Sequence, residues 1–170
     1  FNQLLTTDEN TENKEIFILG RYGFDIDRIK NENGLFQIDK KNEIVSYNIK
    51  TEEGEIKKLK AQFMTVHKAK GLEADIIIVL NCNSGKYGFP SEMSDDQVLN
   101  LLLSEADQFE NGEERRLFYV AMTRAKESVY FVADSSFKSK FIAELEIESG
   151  QSPNKKCPTC KTADVVLRKT

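Results

Sequence analysis

The sequence predicts an α/β protein in which helices cover both faces of a mostly parallel sheet. Two apolar runs, "AQFMTV" and "DIIIVLN", are separated by only about nine polar residues, and each has the pattern of a strand. The second run is apolar at all its central positions, as in strands that are covered on both faces. At 170 residues the chain is large enough to bury one core.

The predicted elements begin with a strand over residues 14–20, "KEIFILG", where a β-branched and aromatic run is stopped by glycine. The polar stretch 21–60 carries turn signals around two weaker strand patterns, residues 34–38 and 43–49. It therefore predicts a short helix followed by a hairpin. The two apolar runs named above supply the next strands.

Two helices are predicted in the following stretch. Residues 94–103, "SDDQVLNLLL", open with a serine cap and acids and continue with leucines at helical spacing. Residues 112–126, "GEERRLFYVAMTRAK", place acids at the start, bases at the end, and one apolar stripe formed by Leu117, Val120 and Ala121.

The chain closes with a strand, a helix and a tail of different character. Residues 127–134 form the strand pattern, and residues 136–148 form a helix predicted to pack through Phe137, Phe141 and Leu145. "SGQSPNKK" then has the composition of a linker. We predict a division into a domain over 1–149 and a linker with a small tail over 150–170.

Composition excludes several classes of function. A net charge of −4, 31% charged residues and no long apolar run argue against a membrane role and against indiscriminate nucleic-acid binding. The start, "FNQLLTTDEN", has neither a signal peptide nor an initiator methionine, so we expect a piece of a longer chain. Three cysteines make no disulfide framework, which fits a reducing cytoplasm.

Arg124 is the first candidate for chemistry. Continuing the apolar stripe by three or four residues reaches Arg124, so the helix pattern places an arginine near the core. A guanidinium there needs an anionic partner, and its planar fork matches a carboxylate or a phosphate. The residues alone leave open an internal ion pair, a charge that complements the helix dipole near the helix C-terminus, or a bound anion.

A second group of candidates stands where predicted strands end. Arg21 follows the first strand, and Thr65 and His67 leave a neighbouring strand at the edge where open α/β sheets bind ligands. Lys68 and Lys70 flank the turn that Gly71 permits, and a solvated loop explains the lysines equally well. A structural, hydrogen-bonded role is the alternative for the lone histidine.

Two long stretches resemble a known family in order and spacing. "FMTVHKAKGLEAD" and "EERRLFYVAMTRAK" resemble motifs V and VI of UvrD/Rep-like superfamily 1 DNA helicases, and "IFILGRYG" resembles motif IV. "LNCNSGKYGFPSE" is most similar to the helicase IV branch. The resemblance covers residues 15–132 and implies a RecA-like domain, the second of two motor domains that grip ATP in the cleft between them.

The resemblance also implies roles for single residues on the nucleotide side. Arg124 and Arg21 would be catalytic arginine fingers that reach the γ-phosphate of ATP held with Mg²⁺ mainly by the other domain. Glu73 would contact the ribose, and Gly71 would allow the backbone to approach the nucleotide. A surface acid beside Lys70 is the alternative for Glu73.

Further roles concern DNA and the helix start. Thr65 and His67 would touch the backbone of single-stranded or partly duplex DNA and couple it to the nucleotide cleft. The charged residues of "EERR" are interpreted as a helix-start cluster, with Arg116 expected to support the arginine geometry. The N-terminal motor domain of the same chain is the implied partner.

The sequence departs from the family pattern in three ways. Gly20 stands where many relatives carry an aromatic residue that stacks on adenine, which leaves Tyr22 as the candidate for stacking. The stretch between Arg21 and Thr65 has no room for the large insertion of many relatives. The chain contains no G-x-x-x-x-G-K-[ST] phosphate loop and no magnesium-binding acid pair, so we expect this piece alone to be inactive.

The tail contains a cysteine pair with the spacing of half a zinc site. Cys157 and Cys160 form a C-x-x-C turn that resembles the opening of the zinc ribbons found after some topoisomerases and helicases. Because the chain ends before a second pair, we expect no tight zinc here and allow zinc in the full-length protein. A small buried residue is the favoured role for Cys82.

The sequence therefore predicts the C-terminal part of a cytoplasmic ATP-dependent DNA helicase that translocates on single strands and unwinds duplexes. A non-catalytic RecA-like scaffold or nucleic-acid-binding module is the alternative, and a fused nuclease would need carboxylates outside the chain. A phosphate loop upstream would favour the motor over the scaffold.

Overall fold

The computed structural model describes residues 11–29, 34–50, 56–92, 111–149 and 163–169. Its strands are β1 (Ile16–Gly20), β2 (Phe36–Asp39), β3 (Ile44–Lys50), β4 (Ile56–Thr65), β5 (Ala74–Val79), β6 (Ala125–Asp134) and β7 (Ala163–Lys169). Its α-helices are α1 (Gly112–Met122) and α2 (Lys140–Ser149), and short 3₁₀ helices span Thr11–Asn13 and Gly23–Arg28.

Seven strands form one sheet in the order β2-β3-β4-β1-β5-β6-β7. The four central strands, β4, β1, β5 and β6, are parallel, so their carboxyl ends lie at one edge of the sheet. The hairpin β2–β3 extends the sheet on one side and β7 on the other, both by antiparallel pairing. The predicted parallel core and hairpin are confirmed, and β7 shows that part of the tail joins the same sheet.

Apolar side chains cover both faces of the central strands. Ile77 and Val79 of β5 join a core with the buried Phe118 of α1 and Phe141 of α2. The alternate residues of β5 join a second core on the other face, where Ile26 of the 3₁₀ helix packs. This alternation explains why the run is apolar at its central positions, since residues 76–79 are each covered on one face or the other.

The helices differ from the prediction in which face they cover and in one of their packing residues. Both α1 and α2 pack on the same face, and Ile26 of the 3₁₀ helix Gly23–Arg28 packs on the other. The predicted helix over 94–103 lies outside those residues. Phe137, expected in the core, is 65% exposed because it lies in the turn before α2, so the expected packing of this helix holds only for Phe141 and Leu145.

Helix α1 is shorter than predicted. It ends at Met122, and Arg124 lies in the turn that follows, not on the buried stripe of the helix. The chain must unwind there because Ala125 already pairs with Ala74 at the start of β5. No helix in the described ranges is long and apolar enough to cross a bilayer.

The Gly20 position has no room for a side chain. A Cβ atom built there would lie 2.8 Å from the Cβ of Asp25 and 2.9 Å from the backbone oxygen of Tyr22. Asp25 is fully buried and accepts a hydrogen bond from the Tyr22 N–H, so it cannot move away easily. The glycine at this motif IV position is therefore a packing requirement of the chain.

We expect Gly20→Ala to destabilise the protein by about 1–3 kcal/mol, because an added methyl must displace a buried turn. Urea unfolding should show a lower midpoint with an unchanged slope. Gly23→Ala is the matched control, since a Cβ atom there meets nothing within 4 Å. Equal midpoints for Gly20→Ala and the wild type would contradict this explanation.

Candidate functional site

The predicted site residues lie at two edges of the sheet. Arg21 comes directly after β1 and Thr65 is the last residue of β4, and the pairing of Gly20 with Thr65 places them side by side at the carboxyl edge. Arg124 and Glu73 directly precede β6 and β5, so they lie at the amino edge. The loop between β4 and β5 crosses from one edge to the other.

Arg21 is held by a carboxylate at the carboxyl edge. Its Nη2 and Nε donate to Glu114 Oε1 at 2.7 and 2.9 Å, and the two side chains are only 18% and 12% exposed. Burial lowers the pKa of the Arg21 guanidinium, but the hydrogen bonds and charge of Glu114 outweigh burial and leave this pKa above its ordinary value. Arg21 is therefore a fixed cation with a partner in the first turn of α1.

Glu114 also connects a third segment to this pair. The Ser91 N–H donates to Glu114 Oε2 at 2.9 Å, and the Ser91 hydroxyl lies 2.7 Å from the hydroxyl of Tyr22. The Arg21 guanidinium lies 5.0 Å from the centre of the Tyr22 ring. One carboxylate thus joins α1, the loop after β1 and the loop after β5.

On sequence alone, Glu114 is interpreted as part of a helix-start charge cluster, and Arg116 is favoured as the residue that supports the arginine geometry. Arg116 is exposed, whereas Glu114 contacts Arg21 directly. A signal was available, because Glu114 lies three residues before Leu117 and so continues the same apolar stripe towards the helix start. A charged residue on that stripe needs a partner at either end of the helix.

Arg124 has different surroundings at the amino edge. Its Nε donates to the Val120 carbonyl at 3.1 Å, its Nη1 to the Leu72 carbonyl at 3.3 Å, and its Nη2 to the Thr123 hydroxyl at 3.1 Å. All these acceptors are neutral, and Arg124 pairs with no carboxylate in the described residues. The internal ion pair that the sequence left open is absent there, and the bond to the Val120 carbonyl holds the half-buried cation at the C-terminal end of α1, as the alternative of a charge complementing the helix dipole requires.

The loop after β4 brings Gly71 and Glu73 beside Arg124. Val66 and Ala69 are fully buried and anchor the loop, and Gly71 has φ of +86°, a conformation that favours glycine. Leu72 follows Gly71, and its carbonyl oxygen accepts the hydrogen bond from Arg124 Nη1. Glu73 is exposed and forms no ion pair with Lys70 in the described structure, so its carboxylate faces solvent next to the arginine turn.

The polar residues at the start of this loop remain at the carboxyl edge. The Thr65 hydroxyl accepts a hydrogen bond from the Lys68 N–H at 3.4 Å, which caps the turn. Lys68 forms an ion pair with Glu43 of the hairpin at 3.0 Å. This exposed pair fits the alternative of a solvated loop better than it fits a contact with a ligand. His67 is exposed on the outer side of the turn.

The two arginines are separated by the length of α1. Glu114, the partner of Arg21, lies in the first turn, and Arg124 follows the last. About 12 Å of helix lies between Glu114 and Met122 at 1.5 Å per residue. The structure therefore groups Arg124 with Gly71 and Glu73, and Arg21 with Thr65 and His67.

A buried amide network fixes the loop after β5. Asn81, with φ of +55°, donates from Nδ2 to Asp25 Oδ1 at 3.2 Å and to the Tyr87 carbonyl at 2.5 Å. Asn83 donates to Asn81 Oδ1 and accepts from the Asp134 N–H at 2.7 Å. These asparagines in "LNCNSG" were not predicted as functional, and they set the position of this loop at the carboxyl edge.

The cysteines provide no metal site within the residues described. Cys82 is fully buried, and burial raises the pKa of its thiol, so it is the small core residue that was favoured. Cys157 and Cys160 lie outside the described residues. No group of three or more histidine, cysteine and acidic side chains that could hold a metal occurs in the part described.

A mixed α/β sheet with parallel central strands and basic residues at their ends is consistent with a RecA-like helicase domain. The chain belongs to the family described as the UvrD-like helicase C-terminal domain, whose model matches residues 5–136. The predicted resemblance is therefore confirmed. No solved structure gives a significant match.

Curated relatives point to the same family. The chain is 37% identical over 89 residues to DNA helicase IV of Escherichia coli, which covers 52% of this chain and 13% of the relative. It is 33% identical over 110 residues to the ATP-dependent DNA helicase PcrA of Bacillus subtilis, covering 59% and 13%. The aligned part is thus about an eighth of these relatives' length.

We expect Glu114→Ala to lower the free energy of unfolding by about 1–3 kcal/mol, because it leaves the Arg21 guanidinium and the Ser91 N–H without their acceptor in a half-buried site. Urea unfolding measures the change. Glu144→Ala is the control, since Glu144 also binds an arginine, Arg115 at 2.6 Å, but both side chains are almost half exposed. That substitution should cost about 1 kcal/mol or less. Equal losses would contradict a special role for Glu114.

Proposed function

We propose that the chain is the second motor domain of an ATP-dependent DNA helicase that acts in the cytoplasm. The observation that carries the proposal is the Arg124 guanidinium, which is oriented by three neutral oxygens and has no carboxylate partner among the described residues. A pre-oriented arginine without a compensating acid suits an anion supplied from outside the domain. ATP held with Mg²⁺ by an N-terminal motor domain would supply it.

Arg124 would act on the γ-phosphoryl group as it leaves ATP. Negative charge spreads over the phosphoryl oxygens in the transition state, and a guanidinium already in place stabilises it without reorganisation. The carbonyls of Leu72 and Val120 hold two of its nitrogens, so the fork cannot rotate freely. Glu73 and Gly71 stand beside it and fit a ribose contact with close backbone approach.

The loop between β4 and β5 would couple DNA to the nucleotide. Thr65 and His67 lie at its start, and Leu72 and Glu73 lie at its end next to Arg124. Val66 and Ala69 anchor the loop in the core, so it would act as one rigid connection between the two edges. Contacts of Thr65 and His67 with a DNA backbone would thereby depend on the nucleotide state.

Arg21 is proposed as the second arginine finger on the family resemblance alone. Its contacts give less support, because Glu114 already neutralises it at the far end of α1 from Arg124. To reach the same phosphate, the Arg21 side chain would have to leave Glu114. We therefore expect motor activity to depend more on Arg124 than on Arg21.

We expect Arg124→Ala to reduce single-strand-stimulated ATP turnover of the full-length protein by about a hundredfold or more, with ATP affinity largely kept. Steady-state turnover and equilibrium nucleotide binding measure the two effects separately. Arg124→Lys should also be strongly impaired, since a lysine cannot reproduce the planar fork.

Arg115→Ala is the matched control on the same helix. Its guanidinium pairs with Glu144 on the exposed side, so its removal should change turnover by less than about threefold. If Arg124→Ala turns over ATP as fast as the wild type, the arginine is a structural residue of the turn. An inactive wild type would favour the non-catalytic scaffold, as would an upstream sequence without a phosphate loop.

A further inference from the structure

Three aromatic rings cluster at the carboxyl edge of the sheet. Tyr22 and Phe24 are stacked with ring centres 5.0 Å apart and an interplanar angle of 6°. Tyr87, from the loop after β5, stands edge-on to both, with centres 6.0 Å from Tyr22 and 5.7 Å from Phe24. Residues far apart in sequence thus form one aromatic surface.

The outer two rings of this cluster are exposed although they touch each other. Phe24 and Tyr87 are each 46% exposed, whereas Tyr22 is half-buried beneath them and hydrogen-bonded to Ser91. Large exposed apolar groups that cluster, instead of lying scattered, mark interaction surfaces. The cluster is therefore a candidate binding surface that the motif V and VI residues do not account for.

Charge and rigidity narrow the class of ligand. Lys86 lies 5.5 Å from the centre of the Tyr87 ring and pairs with no carboxylate in the described structure, so a cation accompanies the rings. The Asn81 side chain donates to buried Asp25, which lies in the same 3₁₀ helix as Phe24, and to the Tyr87 carbonyl, so it holds this helix and the loop after β5 together. Fixed aromatic faces beside an uncompensated lysine suit stacked bases with their phosphates.

We propose that Phe24 and Tyr87 form a stacking platform for bases of a single DNA strand, with Lys86 at its phosphates. Phe24 follows β1, and Tyr87 follows β5. Since β1 lies between β4 and β5 in the sheet, the platform and Thr65 lie along the same carboxyl edge, and one DNA strand could pass along both. Arg124 and Glu73 lie at the opposite edge, which separates the platform from the proposed nucleotide site. This inference rests on the proposed function.

The test uses the full-length protein and two probes of equal length, an oligodeoxythymidylate and a fully abasic strand. The double substitution Phe24→Ala with Tyr87→Ala should weaken binding of the oligodeoxythymidylate about fivefold or more, because removing each ring removes its stacking contact with a base. Fluorescence anisotropy measures the affinity. Binding of the abasic strand should change less than about twofold, since phosphate contacts remain.

Two control variants and one unfolding measurement separate the loss of stacking from damage to the fold. Phe24→Tyr with Tyr87→Phe keeps both rings and should retain wild-type affinity, and thermal unfolding shows whether the alanine variant is folded. Phe137→Ala removes another exposed aromatic residue, 65% exposed, and should leave DNA affinity unchanged. Failure of the ring-keeping variant to retain affinity would overturn the platform.

The remaining outcomes distinguish the platform from the motor. If the wild type shows strand-stimulated ATP turnover but the alanine variant binds both probes like the wild type, the platform is wrong and the proposed function stands. If the variant loses ATP affinity and keeps DNA affinity, the rings serve adenine and the platform is also overturned. A wild type that binds no single strand would overturn both proposals.

Discussion

The burial of β1 and β5 on both faces is the constraint from which the rest of the structure follows. Each strand has parallel neighbours on its two sides and apolar cores above and below, so residues 16–20 of β1 and 76–79 of β5 are all apolar or glycine. An unpaired polar or charged group in such a place costs several kcal/mol. Polar chemistry is therefore confined to the ends of the central strands and the segments that flank them, which is where the candidates Arg21, Thr65, His67, Gly71, Glu73 and Arg124 lie.

Because the polar residues lie at the strand ends, they form two separate groups, one at each edge of the sheet. Helix α1 and the loop after β4 connect these two groups. The loop leaves the carboxyl edge at Thr65 and returns to the amino edge at Glu73, and α1 runs from Glu114 to the Arg124 turn. Both connections pack on the same core. In a motor, such paired rigid connections would transmit a nucleotide contact at one edge to a DNA contact at the other.

The two arginines show how similar side chains acquire different properties from their partners. The charge of Arg21 is balanced by the Glu114 carboxylate, whereas Arg124 is held by neutral carbonyl and hydroxyl oxygens and has no opposite charge beside it in the described residues. Carboxylate pairing stabilises a structure, and neutral orientation leaves a cation available for an incoming anion. Burial alone would not distinguish them, since both are half-buried.

The sequence by itself determined the central strands, the hairpin, the C-terminal helix and the family. The spacing of apolar residues and the positions of turn residues are local signals, and motifs V and VI are long enough to be specific. Tertiary structure decided the early end of α1, the exposure of Phe137 and the pairing of Arg21 with Glu114. It also decided that the arginines lie at opposite edges and that Phe24 meets Tyr87. These features join residues distant in sequence, and no local pattern specifies which groups the sheet register brings together.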